Sequence, residues 1–229
     1  MVTGIRTRAA TPARGPRGRA AQPAGDEAPA KKAPAGRAAA ADVARALQAS
    51  ASELFASQNY ATVTIKHISE ATGVNASLIY YYFGSKEELF LRVVEAAVDD
   101  AFARFEAVKA GASQPEEIVA TWIQTHITHF VMMQQLAKMS LDYANTRSRT
   151  ARIDQAIAKF YDEESVVLER AIQAGIDSGA FRPVDPPQMS TFISTFLDGA
   201  LFRAVMFPQF DHRRAIGHLR EVVLQHLRA

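Results

Sequence analysis

The chain has 229 residues, no cysteine, 26 basic against 24 acidic side chains, and a hydrophobic fraction of 48%. That length accommodates one or two domains, and that apolar fraction suffices for a buried core. The missing cysteines exclude disulfides, thiolate metal sites and cysteine nucleophiles, and they imply a reduced, cytoplasmic setting. No apolar run reaches the ~18–20 residues of a membrane-spanning helix, so no membrane partner is expected.

The net charge of +2 conceals a split. Residues 1–40 carry eight basic side chains against Asp26 and Glu27, giving +6 and leaving −4 for the rest. The same stretch holds five of the ten prolines and five of the twelve glycines, with no aromatic residue and no leucine. A segment of this kind buries too little apolar surface to offset its ordering entropy, so a disordered tail is expected. It reads either as an electrostatic arm for nucleic acid or as a solvated spacer. It lacks the apolar stretch of a secretory signal.

Beyond the tail, apolar residues recur at helical spacing, and the expected fold is all-α with about nine helices. Only Ala61-Thr62-Val63-Thr64-Ile65 resembles a strand, and it is too short to stand without a partner. The first helix starts near Asp42, with Val43, Leu47, Leu54 and Phe55 on one face, and ends at Gln58-Asn59-Tyr60. Thr64 caps the second, Ile65 to Ala71, and Asn75 caps the third, which runs to Tyr82. Ser85-Lys86-Glu87-Glu88 opens the fourth in capping-box form, followed by Leu89, Val93, Ala97, Ala101 and Phe105 at intervals of four. Ser113 and Pro115 begin the fifth, carrying Ile118, Trp122, His126 and Phe130. The sixth covers Met133 to Tyr143, and a long seventh runs from Arg149 to Asp177 with Ile153, Ile157, Phe160, Val167, Leu168 and Ile172 inward. Gly175 and Gly179 mark its fraying end, and Asp162, Glu163, Glu164, Glu169 and Asp177 read as a solvated face. Pro186 and Pro187 start the eighth, through to Met206, and Asp211 caps the ninth, ending near Leu227.

The most informative stretch is Thr64 to Lys86. Two short helices are joined by Thr72-Gly73-Val74, where glycine supplies the positive φ of a tight turn. Ile68, Ala71, Val74 and Ile79 are expected to bury the inner faces, with Ala71 allowing close approach. This is a helix-turn-helix pattern, whose second helix enters a DNA major groove. Its exposed face would carry Asn75, Ala76, Ser77, Tyr80 and Tyr81, while Tyr82 packs inward.

This stretch resembles the TetR family of bacterial transcriptional regulators. The resemblance rests on Ala51-Ser52-Glu53-Leu54-Phe55, on Thr64 and Ile68 four apart, and on the run from Gly73 through Tyr80-Tyr81-Tyr82-Phe83-Gly84-Ser85-Lys86 to Phe90. It implies a DNA-binding domain over residues 41–92 and an effector-binding and dimerisation domain over 93–229. It also implies phosphate or base contacts from Thr64, Lys66, Asn75, Ala76, Ser77, Tyr80, Tyr81 and Lys86. Many relatives carry glycine where Ser77 stands. Residues 41–92 sum to −1, so a DNA reader of this kind relies on helix dipoles and hydroxyls, and on the tail if that is an arm.

In the family the chain resembles, the C-terminal helices bind a small molecule and the last two form a dimer bundle. Trp122, His126, Phe130, Met133, Met139, Tyr143 and Phe160 form an aromatic and Met-rich set able to line an apolar cavity, though plain core is the other reading. Asp142, Asn145 and His126 are candidate polar anchors. His126 and His129 lack a carboxylate at ligand spacing, so neither a metal nor a cofactor is expected. Phe192, Phe196, Gly199, Ala200, Arg203 and Phe207, with Ile216, Leu219, Val223 and Leu227, are the expected dimer stripes.

The expected partners are thus a double-stranded DNA operator, a second copy of the chain and a small-molecule effector. The leading functional expectation is a homodimeric repressor released from a palindromic operator by an apolar or aromatic ligand. A ligand-independent DNA-binding organiser or activator of the same fold is the alternative. Nothing in the sequence supports an enzyme: it has no Gly-rich phosphate loop and no Ser–His–carboxylate spacing.

Overall fold

The computed structural model describes residues 35–147 and 149–229. Nine α-helices account for the elements among them: α1 (Ala35–Ser57), α2 (Ile65–Thr72), α3 (Ala76–Phe83), α4 (Lys86–Lys109), α5 (Pro115–Thr128), α6 (Phe130–Ala144), α7 (Ala151–Asp177), α8 (Pro186–Met206) and α9 (His212–Leu227). No described segment forms a β-strand element, and the strand-like Ala61–Ile65 stretch is a turn running into α2. No helix is long and apolar enough to cross a membrane among the described residues.

The expected tail lies outside the described residues except at its end, where α1 begins at Ala35 rather than at Asp42. The run Ala38-Ala39-Ala40-Ala41 explains the earlier start, since alanine has the highest helix propensity. α1 buries Leu47, Ala51 and Phe55 against α4, with Val43 and Leu54 half-buried beside them.

The first three helices and the start of α4 form a small unit, and α4 continues out of it into the larger helical body. There α4 packs on α7, α5 lies between α7 and α9, and α8 covers α6 and α7. One continuous apolar core runs through both parts. An aromatic knot seals their junction. Tyr60, in the loop after α1, lies 4.6 Å from Phe90 and 5.2 Å from Tyr143, and Phe90 stacks on Tyr143 at 5.3 Å. The Tyr143 hydroxyl accepts from the Thr150 backbone N–H at 2.6 Å, so the same ring also anchors the entry to α7.

The capping box expected at α4 is only half formed. The Ser85 hydroxyl accepts from the Glu88 backbone N–H at 3.1 Å, whereas the Glu88 carboxylate accepts from Arg152 of α7 at 2.8 and 3.2 Å. That hydrogen bond holds the Glu88 carboxyl below its usual range. The exchange of partners ties the first turn of α4 to the first turn of α7.

Gly175 does not fray the end of α7. It is a buried helical residue, and a Cβ added there would run into the ring of Phe181. Phe181 folds back over it, its backbone N–H donating to the Gly175 carbonyl at 2.9 Å. The positive φ belongs to Gly179, at 75°.

Candidate nucleic-acid interface and internal polar site

The turn between α2 and α3 is built from local hydrogen bonds. Gly73 adopts φ 68°, the left-handed conformation that ends α2 without a Cβ penalty. Thr72 closes the last turn of α2 by donating to the Ile68 carbonyl at 2.7 Å, and its hydroxyl accepts from the Val74 N–H at 3.2 Å. Ser69 donates to the Val74 carbonyl at 2.7 Å. The inner face is made by Ile65, Ile68 and Ile79, with Val74 half-buried. Ala71 is exposed, contrary to expectation. The inward stripe of α2 follows Ile65, Ile68 and Thr72, and Ala71 falls to one side of it.

Both short helices present capped N-termini. Thr64 accepts from the His67 N–H at 3.2 Å, and Asn75 Oδ1 accepts from the backbone and hydroxyl of Ser77, both at 2.9 Å. Thr64, Lys66, Asn75 and Ser77 are exposed, whereas Ala76 is half-buried against the core. Tyr80 and Tyr81 stand out at 53% and 80% exposure, and Tyr82 packs against the core. The α3 face therefore offers hydroxyls, an amide and open backbone, with Lys66 near an exposed Glu70 at 3.6 Å.

Lys86 takes a different place from the other candidates. Its ammonium donates to the carbonyl oxygens of Tyr60 and Val63 at 3.0 and 3.1 Å and lies 4.3 Å from the Tyr60 ring centre. Partial burial lowers its pKa. Its first task is to satisfy two carbonyls of the loop between α1 and α2.

The expected effector set is split by the fold. Only His126, Met133 and Phe160 of that set line a small cavity between α5, α6, α7 and α8, about 20 Å³ in volume, with Tyr161 and Asp198 also on its wall. Trp122 lies just beside it, within the core. Tyr143 belongs to the junction knot, Phe130 stacks on His212 at 3.6 Å, and Met139 faces a surface depression beside α1 and α4. Asp142 pairs with Lys138 at 2.8 Å, and Asn145 donates to the Leu141 carbonyl at 2.9 Å, so neither anchors the cavity. His126 Nδ1 donates to the Trp122 carbonyl, 3.1 Å away, and burial lowers its pKa to about 4.

Glu164 corrects the expectation of a solvated face: it is 2% exposed. Its carboxylate accepts from Trp122 Nε1 at 2.9 Å and from the Ser194 hydroxyl at 2.5 Å. Desolvation raises its pKa to about 7. Asp198 is raised for the same reason, and it accepts from the Tyr161 hydroxyl. The signal was present in spacing, since Glu164 sits four residues from both Phe160 and Leu168 on the inward stripe.

The expected dimer residues divide in two. Phe192, Phe196, Gly199, Arg203 and Phe207 face out, joined by Phe202, Val205 and Met206. Ala200, Leu219 and Val223 are instead buried inside the chain, as are Ile216 and Leu227. The α9 stripe packs on α5 and α8 of its own subunit, which uses up its apolar face.

Two short helices joined at a left-handed glycine, with a polar exposed second helix on an all-helical body, define a helix-turn-helix DNA-binding regulator. Residues 47–93 match the family model described as bacterial regulatory proteins, tetR family. The uncharacterized HTH-type transcriptional regulator YfiR of Bacillus subtilis is 28% identical over 164 residues, 68% of this chain and 77% of that one. The HTH-type transcriptional repressor NicS of Pseudomonas putida is 32% identical over 134 residues, 57% of this chain and 61% of that one. The same fold occurs in a putative transcriptional regulator from Saccharomonospora viridis, solved in complex with choline. It has a TM-score of 0.75 and 19% identity, covering 82% of this chain and 99% of that one. Over residues 47–93 the chain is similar to the TetR family of bacterial transcriptional regulators, and its relatives are HTH-type regulators and repressors.

Proposed function

We propose that the protein is a homodimeric repressor that binds a palindromic operator through α3 and leaves it when a small organic ligand enters the helical body. The observation that carries this reading is the continuity of α4. It starts at the Ser85 cap, directly after the exposed α3, and reaches Phe105, whose ring lies 4.9 Å from Trp122 beside the internal cavity. A shift at the cavity therefore moves a rigid rod attached to the DNA-reading helix. Two recognition helices must match successive major grooves ~34–36 Å apart, so a small tilt of α4 in each subunit spoils the match. A coupling of ~1–3 kcal/mol suffices for a useful switch.

Dimerisation is supported by the outer face of α8. Phe192, Phe196 and Phe202 on α8 and Phe207 at its C-cap are 49%, 39%, 53% and 50% exposed, and exposed apolar side chains gathered on one element favour an interaction surface. An isologous contact between two copies buries the same patch on both sides. The DNA contacts are assigned to Thr64, Lys66, Asn75, Ala76, Ser77, Tyr80 and Tyr81, with Lys86 positioning the loop before them.

The alternative, a ligand-independent DNA-binding organiser or activator, is favoured by one observation: a cavity of about 20 Å³ holds little more than a water molecule. Footprinting on DNA flanking the protein's own gene tests the main reading. Two protected half-sites about one helical turn apart, bound by one dimer, are expected. Protection of a single half-site, or none with sequence preference, refutes it.

A further inference from the structure

The polar residues lining the internal cavity are His126, Ser140, Tyr161 and Asp198, a set with one carboxylate and no ammonium or guanidinium. Asp198 lines it directly, and Glu164, three residues beyond the lining Tyr161 on α7, feels the charge of Asp198. His126 also lines it and is 2% exposed. With Nδ1 donating to the Trp122 carbonyl, the neutral ring leaves Nε2 as an acceptor. Among the residues lining the cavity there is no lysine and no arginine. Lys138 on α6 and Lys159 on α7 are committed elsewhere, to Asp142 at 2.8 Å and to Asp99 at 2.8 Å. Asp198, half-buried, and Glu164, buried, thus have no counter-charge among the described residues, an arrangement that costs free energy unless something positive joins them.

The walls complete the description. Phe160 and Tyr161 offer ring faces, and Trp122 stacks on Phe102 at 5.3 Å just behind. Met133 and Leu201 close the apolar side and can repack around a chain. A volume of about 20 Å³ matches a water-sized group, which is also the size of an ammonium head. Tyr161 is exposed and Asp198 half-buried, so the site reaches the surface beside them.

We infer that this cavity is the binding site for an organic ammonium ion, with the charged head held by Asp198 and His126 Nε2 in the field of Glu164, and its hydrocarbon received as Met133 and Leu201 repack. Aromatic faces and buried carboxylates both favour a cation over a neutral molecule of the same shape. The inference rests on the effector reading above and narrows it: the ligand's body is apolar, and its head is positive.

The test compares n-hexylammonium with n-hexanol, its uncharged counterpart, by isothermal titration and thermal shift on the full chain. Hexylammonium is expected to bind at least about tenfold more tightly than hexanol. Asp198→Asn and Glu164→Gln, both isosteric, are each expected to weaken the cation about tenfold while leaving hexanol unchanged. The retained hexanol binding shows that the variants are folded. Equal affinity for the two probes overturns the inference, as does undiminished cation binding in both variants. Operator binding is followed in the same samples. Sequence-preferring DNA binding with no preference for the cation removes this inference alone, whereas cation binding without DNA binding removes the regulator reading alone.

Discussion

Replacing Glu164 by glutamine isolates the cost of a carboxylate in the core. Glutamine keeps the shape, with its oxygen accepting from Trp122 Nε1 and its amide nitrogen donating to the Ser194 hydroxyl, but it cannot ionise. In the folded chain the carboxyl titrates at about 7 instead of 4.5, because burial disfavours its charged form. Between those two values the folded state binds a proton that the unfolded state has lost. Stability therefore falls as pH rises from about 4.5 to 7, and the full penalty is present above that range. A displacement of that size corresponds to ~3 kcal/mol. His126 runs the other way: its folded value of about 4 destabilises the fold as pH falls through 6.5, but equally in both proteins. The assay is urea unfolding of wild type and Glu164→Gln at pH 5 and pH 8, at one fixed protein concentration because dimerisation adds to stability. The variant should gain on wild type by ~2–3 kcal/mol between the two pH values. Parallel profiles would refute the argument that Glu164 is desolvated without a cation.

Three further outcomes follow from the packing and the turns. Gly73→Ala places a Cβ at φ 68° with no atom near it, so backbone strain alone should cost ~1–2 kcal/mol, read as a lowered unfolding midpoint with helix content unchanged. Gly175→Ala drives a methyl group into the Phe181 ring and should cost ~1–3 kcal/mol, and a companion Phe181→Leu should recover part of the loss. Phe192→Lys with Phe196→Lys places charge on the exposed α8 face, and sedimentation should report a folded monomer where the wild type is a dimer. A monomeric wild type would remove the dimer reading.

The parts of the fold that could be read from the chain were those written locally. Thr64, Gly73, Asn75 and Ser85 each do in the structure what their residue types prescribe, because caps and left-handed turns depend on a few neighbouring atoms. Glu164 is hidden in the sequence because Asp162-Glu163-Glu164 has the composition of a solvated run, although its third member falls on the inward stripe. Leu219 and Val223 were misplaced for a different reason. Spacing reveals that α9 has an apolar face, but whether its own subunit or a second copy covers that face depends on tertiary packing. Lys86 shows the same limit, since its carbonyl partners lie 26 and 23 residues away along the chain.

The central claim is that the exposed face of α3 reads DNA. Fluorescence anisotropy on a duplex from the region flanking the protein's own gene tests it most directly, comparing wild type with Tyr80→Ala and Tyr81→Ala combined. Both rings are exposed, so the variant should keep the wild-type unfolding midpoint. The account predicts that its affinity falls by about tenfold or more, on the order of ~1 kcal/mol for each lost hydroxyl contact. Binding equal to wild type at matched salt would contradict it.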